Sequence, residues 1–238
     1  KLIQDFYSPN LISKYDFLFH HNVLEHLENP LKFLIDNFKN LNKNGQIVVA
    51  VPDCSDHIIK GDISMVWHEH ISYFDEDSLK NILLKAGFSN INVKRSTFGG
   101  LLYAFGQKID GCIKDTSLTY NSKKLINFYK KAFKKIDNVS NFINKIINHK
   151  NQSIGVYVPL RFINYLSLAN INSEKLSNVR FFDDDVSSFR KFYDGFPIII
   201  ENFEDLKQNV PRNLIICSDK FYVTIKDKIF SEVNKDIN

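Results

Sequence analysis

The sequence predicts an α/β protein with two separate sheets joined by a long helix. Short apolar runs of strand length alternate with segments whose apolar residues recur at helical spacing, a pattern typical of α/β sheets. These runs form two groups, one before residue 110 and one after residue 150. The predicted organisation is a first α/β unit over 1–110, a connecting helix over 111–150 and a second unit over 151–238.

The composition is that of an ordinary globular chain. Of its 238 residues 44% are apolar and 24% are charged, and the net charge of +4 does not predict a nucleic-acid surface. No apolar run is long enough for a membrane span and no signal peptide is recognisable. Cys54, Cys112 and Cys217 lie far apart, which argues against disulfides and against a zinc site, so no metal is predicted and a reducing cytoplasm is the expected compartment.

The first unit begins with a strand, a helix and a second strand. The apolar run at 15–20 predicts a buried parallel strand. A helix follows, with Asn29 as its N-cap and Pro30 in its first turn. Gly45 is expected to end this helix in the left-handed conformation, and 46–51 forms the next buried strand.

The first unit is predicted to close with a capped helix and a hairpin. Asp75 precedes an acidic first turn, which favours a helix start, and Gly87 ends the helix. Strands at 92–97 and 101–107 are close enough in sequence to pair antiparallel.

The second unit follows an amphipathic helix over 120–150 and repeats the alternation of strands and helices. Its predicted elements are strands at 153–158, 179–182, 197–200 and 214–217, and helices at 159–168, after Asn202 as N-cap, and at 221–233.

Histidines concentrate in two segments that follow predicted strands. His20, His21 and His26 lie in the first segment, and His68 and His70 lie in the second. Ligands of open α/β sheets bind at the carboxyl ends of the strands, so both segments are expected at one sheet edge. A histidine there, with an acidic neighbour, is suited to act as a general base.

The order strand, NVLEH, helix, LNKNG, strand, VPD over residues 15–53 resembles the fourth through fifth strands of class I S-adenosylmethionine-dependent methyltransferases. The segment HEHISYF at 68–74 is similar to the HEHxSYF segment of sugar C-methyltransferases, which methylate nucleotide-linked deoxy-keto sugars. The turn at Gly99 and Gly100 matches the paired glycines of that family, and residues 151–238 resemble its second Rossmann-like domain. The resemblance implies a partial class I methyltransferase sheet followed by a second Rossmann-like domain.

The resemblance also implies a mechanism and a cofactor. His70 would remove the proton next to the sugar ketone, Glu69 would be its partner, and His26 would stand near the developing oxyanion. S-adenosyl-L-methionine is the implied methyl donor and a nucleotide-sugar-like molecule the implied substrate. The implied binding residues are His20, His21 and Asn22 beside the adenosine of the cofactor, and Trp67, Gly99 and Gly100 beside the substrate.

The sequence departs from the family at several positions. Trp67 stands where the family has tyrosine, and Leu101 and Leu102 follow the paired glycines where the family has serine and arginine. The turn at 155–159 lacks the glycines that cradle a phosphate. The family's glycine-rich first loop and its ribose-binding acid have no match, so the sequence is expected to be an N-terminally truncated chain that binds the cofactor weakly.

Two alternatives remain open at this point. The chain is either an enzyme that methylates a sugar or surface-glycan precursor, or a non-catalytic remnant or interaction module that keeps this half of the fold. The acceptor atom is carbon in the family that the sequence resembles, but an oxygen or nitrogen acceptor suits the same base.

Overall fold

Two four-stranded sheets form the framework of the chain. The computed structural model describes residues 14–109, 122–147, 153–171, 173–218 and 221–233. The two sheets share no strand, which agrees with the two groups of apolar runs. The chain divides into one unit of Lys1–Ile59 and Trp67–Ile126 and another of Lys60–Val66 and Asn127–Asn238. This division differs from the predicted boundaries, because residues 60–66 group with the second unit and because the rest of that unit begins at Asn127, inside the predicted connecting helix.

The first sheet is mixed and has β2 as its long central strand. Its strands lie in the order β1-β2-β4-β3, with β1 and β2 parallel and β4 antiparallel to both of its neighbours. The predicted hairpin is therefore confirmed. The elements in chain order are β1 (Tyr15–His21), α1 (Pro30–Asn40), β2 (Leu41–Pro52), α2 (Ser55–Lys60), α3 (Glu76–Ala86), β3 (Ser89–Arg95) and β4 (Leu101–Gln107).

The core of this sheet forms between β2 and the helices α1 and α3. Alternate residues of β2 are fully buried and meet leucines from both helices, so the apolar faces predicted from helical spacing are the ones that pack. The fully buried members include Leu34, Ile47, Val49, Val51, Leu79 and Leu83.

The predicted helix caps are present. Asn29 accepts a hydrogen bond from the Lys32 amide at 2.9 Å, which satisfies one free N–H of the first turn of α1. Asp75 and Ser78 form a reciprocal capping box at the start of α3. Gly87 ends α3 with φ of 104°, the left-handed conformation that glycine adopts without strain.

The predicted end of α1 at Gly45 is wrong. The helix ends at Asn40, and Leu41 is already extended at the start of β2. The left-handed residue is Asn44, with φ of 62°, which asparagine tolerates better than most residues. A Cβ on Gly45 would lie 2.9 Å from the carbonyl oxygen of Asn42, so close packing explains the glycine.

The second sheet is entirely parallel, with strand order β7-β6-β5-β8. Its central strand β5 is buried along its whole length, as parallel strands in α/β proteins are. In place of the strand predicted at 197–200, the structure has a strand of two residues, Ile200–Glu201. The elements are α4 (Ser122–Ile147), β5 (Ile154–Tyr157), α5 (Leu160–Leu168), β6 (Val179–Phe182), β7 (Ile200–Glu201), α6 (Phe203–Gln208), β8 (Asn213–Ile216) and α7 (Tyr222–Glu232).

Residues 60–66 pack within the second unit although they precede most of the first unit in sequence. The Tyr165 hydroxyl donates to Asp62 Oδ1 at 2.9 Å and accepts from the Ile63 amide at 3.3 Å. Asn164 donates to the Val66 carbonyl at 2.7 Å. The sequence offered no sign of this arrangement, because it depends on contacts about a hundred residues apart.

Gly155 lies inside β5, where side chains fill the space that a Cβ would need. An added Cβ would stand 2.6 Å from both Leu214 Cδ1 and Pro211 Cγ, and 3.0 Å from Phe182 Cε2. We expect Gly155→Ala to lower the free energy of unfolding by about 1–3 kcal/mol, since over-packing forces the neighbours to shift. Urea denaturation measures this change, and an unaltered midpoint would show that the site adapts freely.

Among the helices within the described ranges, none combines the length and apolar character needed to cross a bilayer.

Candidate functional site

The candidate site lies where β1 and β2 end side by side. Because these strands are parallel, the residues that follow them leave the same edge of the sheet. The Asn22 amide donates to the Ala50 carbonyl at 2.9 Å, which extends the pairing past β1. A single 3₁₀ turn, Leu24–His26, then brings Glu25 and His26 to this edge.

Backbone hydrogen bonds attach the second histidine segment to this turn. The Glu25 carbonyl accepts from the Ile71 amide at 2.7 Å and from the Ser72 amide at 3.1 Å. The His26 ring contributes a third link, through Nδ1 and the Glu69 carbonyl oxygen at 2.9 Å. The two segments predicted to share an edge are therefore in direct contact.

Glu25, His26 and His70 form a cluster of side chains at this junction. The two imidazole rings meet edge to face, with centroids 4.9 Å apart. Glu25 Oε1 lies 3.7 Å from His26 Nε2, and one polar atom from each of the three residues lies within 4.8 Å of the others. This arrangement, which we call the Glu25–His26–His70 cluster, places one carboxylate and two imidazoles together.

Glu25 is the member that the sequence interpretation missed. It is 1% exposed, and neither carboxylate oxygen has a hydrogen-bond partner among the described residues. A buried carboxylate without partners is costly, so its position calls for a chemical reason. The available signal was its place directly before His26 in a segment that follows a strand.

Glu69, the predicted partner of His70, contributes its backbone to the site. Its carbonyl holds His26, while its carboxylate is 69% exposed and lies 3.7 Å from His68 Nε2. The acidic side chain grouped with His70 is Glu25. His70 also lies near Tyr73, with ring centroids 6.3 Å apart.

His20 and His21 point to opposite faces of β1. The His20 ring packs edge-on against Phe33, and its Nε2 donates to the buried Asn37 Oδ1 at 2.8 Å. Burial lowers the pKa of His20, although the hydrogen bond to Asn37 opposes this shift. His21 is exposed near Phe19, so a single ligand surface does not bring both histidines together.

Asn22 and Trp67 frame the cluster mainly through their backbones. Asn22 is exposed and has φ of 53°, which turns the chain sharply after β1. The Trp67 carbonyl accepts from the His70 amide at 3.1 Å and from the Tyr73 hydroxyl at 3.3 Å. The Trp67 side chain is 41% exposed and leaves an aromatic surface open to a ligand.

Gly99 and Gly100 form the turn of the β3–β4 hairpin, with φ of 75° and 80°. The Gly100 carbonyl accepts from the Asp53 amide at 3.0 Å, which joins the turn to the end of β2. Burial alone would raise the pKa of Asp53, but hydrogen bonds from Arg95 and Ser55 hold that pKa below its ordinary value. The paired glycines therefore lie beside an ionised carboxylate.

The exposed polar groups near the end of β1 are enough to contact only one side of a nucleoside cofactor. His21 and Asn22 offer exposed polar groups, but none of the strand-to-helix turns within the described ranges contains a glycine-rich loop. Such loops let backbone amides approach a ligand closely.

A family model described as a methyltransferase domain matches residues 4–93. That match contains β1, β2, α1, α3 and the Glu25–His26–His70 cluster. Residues 4–93, which are less than half of the chain, are thus similar to a methyltransferase domain. No curated protein matches the chain.

Solved structures similar to this chain include methyltransferases of low sequence identity. A SAM-dependent methyltransferase from Thermotoga maritima is 19% identical with a TM-score of 0.36, over 42% of this chain and 60% of that one. One from Archaeoglobus fulgidus is 13% identical with a TM-score of 0.33, over 40% and 60%. Magnesium protoporphyrin IX methyltransferase from Synechocystis PCC 6803, with bound SAH, is 14% identical with a TM-score of 0.32, over 42% and 48%. The chain spans less than two thirds of each.

Proposed function

We propose that this chain acts within an S-adenosylmethionine-dependent methyltransferase whose acceptor is a nucleotide-linked sugar or a surface-glycan precursor, with His70 as general base. The observation that carries the proposal is the attachment of the HEHISYF segment to the turn after β1. Three hydrogen bonds hold the two segments together, so His70 stands at the edge where α/β enzymes bind their ligands.

The chemistry requires a neutral imidazole close to the acceptor. His70 would take the proton from the carbon next to the sugar ketone, and the resulting enolate would attack the cofactor's methyl group, releasing S-adenosylhomocysteine. The nearby Glu25 carboxylate would stabilise the positive charge that His70 gains. His26, oriented by the Glu69 carbonyl, would stand near the oxyanion of the enolate.

The binding roles follow the same arrangement. Asn22 and His21 would border the adenosine, since both are exposed at the end of β1. The open aromatic surface of Trp67 suits the apolar face of a sugar, and the space around the Cα of Gly100 is open. The sugar acceptor itself rests on the HEHISYF resemblance.

Calorimetry with the full-length polypeptide tests the proposal. S-adenosylmethionine should bind in a saturable manner, and methyl transfer from labelled cofactor should be fastest to nucleotide-linked keto sugars. Transfer to hydroxyl or amine acceptors instead would keep the enzyme class but reject the carbon acceptor. Failure of the full-length polypeptide to bind the cofactor would favour a non-catalytic interaction module.

A further inference from the structure

The buried Glu25 carboxylate points toward a partner of positive charge. Both of its oxygens are inaccessible and lack a hydrogen-bond donor within the described part of the chain. Its own backbone carbonyl holds the second histidine segment, which fixes the backbone of Glu25 beside that segment. A cation between Glu25 and the neighbouring imidazoles would compensate for the burial of this side chain.

The His26 ring presents Nε2, and not Nδ1, toward Glu25. A backbone carbonyl only accepts hydrogen bonds, so Nδ1 must carry the proton that it donates to the Glu69 oxygen at 2.9 Å. In neutral imidazole this leaves Nε2 with a free lone pair, and Nε2 lies 3.7 Å from Glu25 Oε1. Histidine ligands of metals usually donate their second ring N–H to such a carbonyl, which fixes the tautomer.

His70 provides a third donor at a suitable distance. The donor atoms of Glu25, His26 and His70 all lie within 4.8 Å of one another. Ligands about 2.0–2.1 Å from a tetrahedral Zn²⁺ stand about 3.4 Å apart, so small side-chain rotations are enough to close the site.

We propose that the Glu25–His26–His70 cluster binds a divalent cation of the Zn²⁺ type. One carboxylate and two imidazoles form a mixed oxygen and nitrogen set, which suits Zn²⁺ better than Mg²⁺ or Ca²⁺. This proposal departs from the sequence analysis, which predicted no metal, because that prediction rested on the spacing of the cysteines and did not consider a site built from histidine and glutamate.

Three protein ligands leave at least one coordination position open, as in catalytic zinc sites. A water or an acceptor hydroxyl bound there would lose its proton more readily, and a keto oxygen bound there would be polarised. This consequence rests on the proposed methyltransferase function and favours an acceptor with a hydroxyl or keto oxygen next to the methylated atom. A cation and a proton compete for the ring nitrogen of His70, so the base role of His70 belongs to the metal-free cluster.

Titration calorimetry of the 238-residue chain with Zn²⁺, without cofactor or acceptor, tests the site. We expect one equivalent to bind saturably and to raise the melting temperature. Glu25→Gln and His70→Ala should each weaken binding by about tenfold to a hundredfold or more, because each removes a ligand or its charge. Circular dichroism of both variants confirms that they fold.

His68→Ala is the matched control, because His68 is an exposed histidine of the same segment outside the cluster. It should change the affinity less than twofold. Equal losses in His68→Ala and His70→Ala, or binding without a fixed stoichiometry, would mean adventitious coordination by surface histidines and would overturn the proposal. Since the titration needs no methyl transfer, its failure leaves the proposed enzyme activity untouched, and the reverse also holds.

Discussion

Replacing His70 with alanine is expected to lower turnover by about a hundredfold to ten-thousandfold, the range that a positioned general base contributes. Cofactor affinity should remain nearly unchanged, because His70 follows Trp67 in the segment assigned to the acceptor rather than the segment after β1. Steady-state kinetics of the full-length polypeptide, together with calorimetry of S-adenosylmethionine binding, measures both quantities.

A thermal melt and a chelator separate the roles that His70 has been assigned. If His70→Ala lowers the melting temperature by several degrees but keeps near-full activity at low temperature, its contact with Tyr73 is its main role and the base assignment is wrong. If a chelator reduces wild-type turnover as much as the substitution does, His70 acts as a ligand. His68→Ala should leave turnover unchanged, since its ring is exposed.

Asp75→Ala is expected to cost about 2–4 kcal/mol of unfolding free energy, because it removes a helix cap and a mostly buried ionic partner together. The Asp75 carboxylate caps α3 through Ser78 and also accepts a hydrogen bond from the Lys124 ammonium. The substitution removes one carboxylate partner of Lys124, whose side chain is 30% exposed. Chemical denaturation followed by circular dichroism measures the loss.

Asp77→Ala provides the comparison for Asp75→Ala. Asp77 also contacts Lys124, at 3.3 Å, but it is 81% exposed, so its loss should cost less than about 1 kcal/mol. Equal costs for the two substitutions would show that neither the helix cap nor the burial of Asp75 adds to the effect of its contact with Lys124.

The Asp75 carboxylate makes the free energy of unfolding of the first unit depend on pH. Burial alone would raise the pKa of Asp75, but Lys124 and Ser78 bring that pKa below its ordinary value of 3.8. The unfolded chain therefore binds this proton at a higher pH than the folded chain does. The stabilisation is complete above about 3.8 and is lost as the pH falls through the lower folded value, and Asp75→Ala should flatten this part of the curve.

Local signals in the sequence were sufficient where a single residue decides the structure. Asn29, Asp75 and Asn202 all cap the helices that they were expected to start. Gly45 failed as a helix end because its role depends on Asn42, whose carbonyl approaches it only after the chain has turned. The close approach of the Asn42 carbonyl, and not a helix C-cap, therefore explains the glycine at position 45.

The candidate site was predictable as a place but not as a set of contacts. Polar residues after two parallel strands had to meet, and His26 and His70 do. Glu69 was assigned as the acid from the family resemblance and its place next to His70, whereas its carboxylate lies near His68. Glu25 is the buried glutamate of the site, and its backbone carbonyl accepts hydrogen bonds from the second histidine segment. The periodicity of apolar residues in the sequence does not predict such backbone hydrogen bonds.

The contact between Tyr165 and Asp62 can form only late in the synthesis of the chain. The two residues are 103 positions apart, so a ribosome working at about 5–20 residues per second releases residues 60–66 about 5–20 s before Tyr165 emerges. Throughout that interval Ile63, which is buried in the finished fold, must wait exposed or held by other partners. A fragment that begins at Asn127 never receives this segment, so the second unit cannot be completed from its own continuous stretch of sequence.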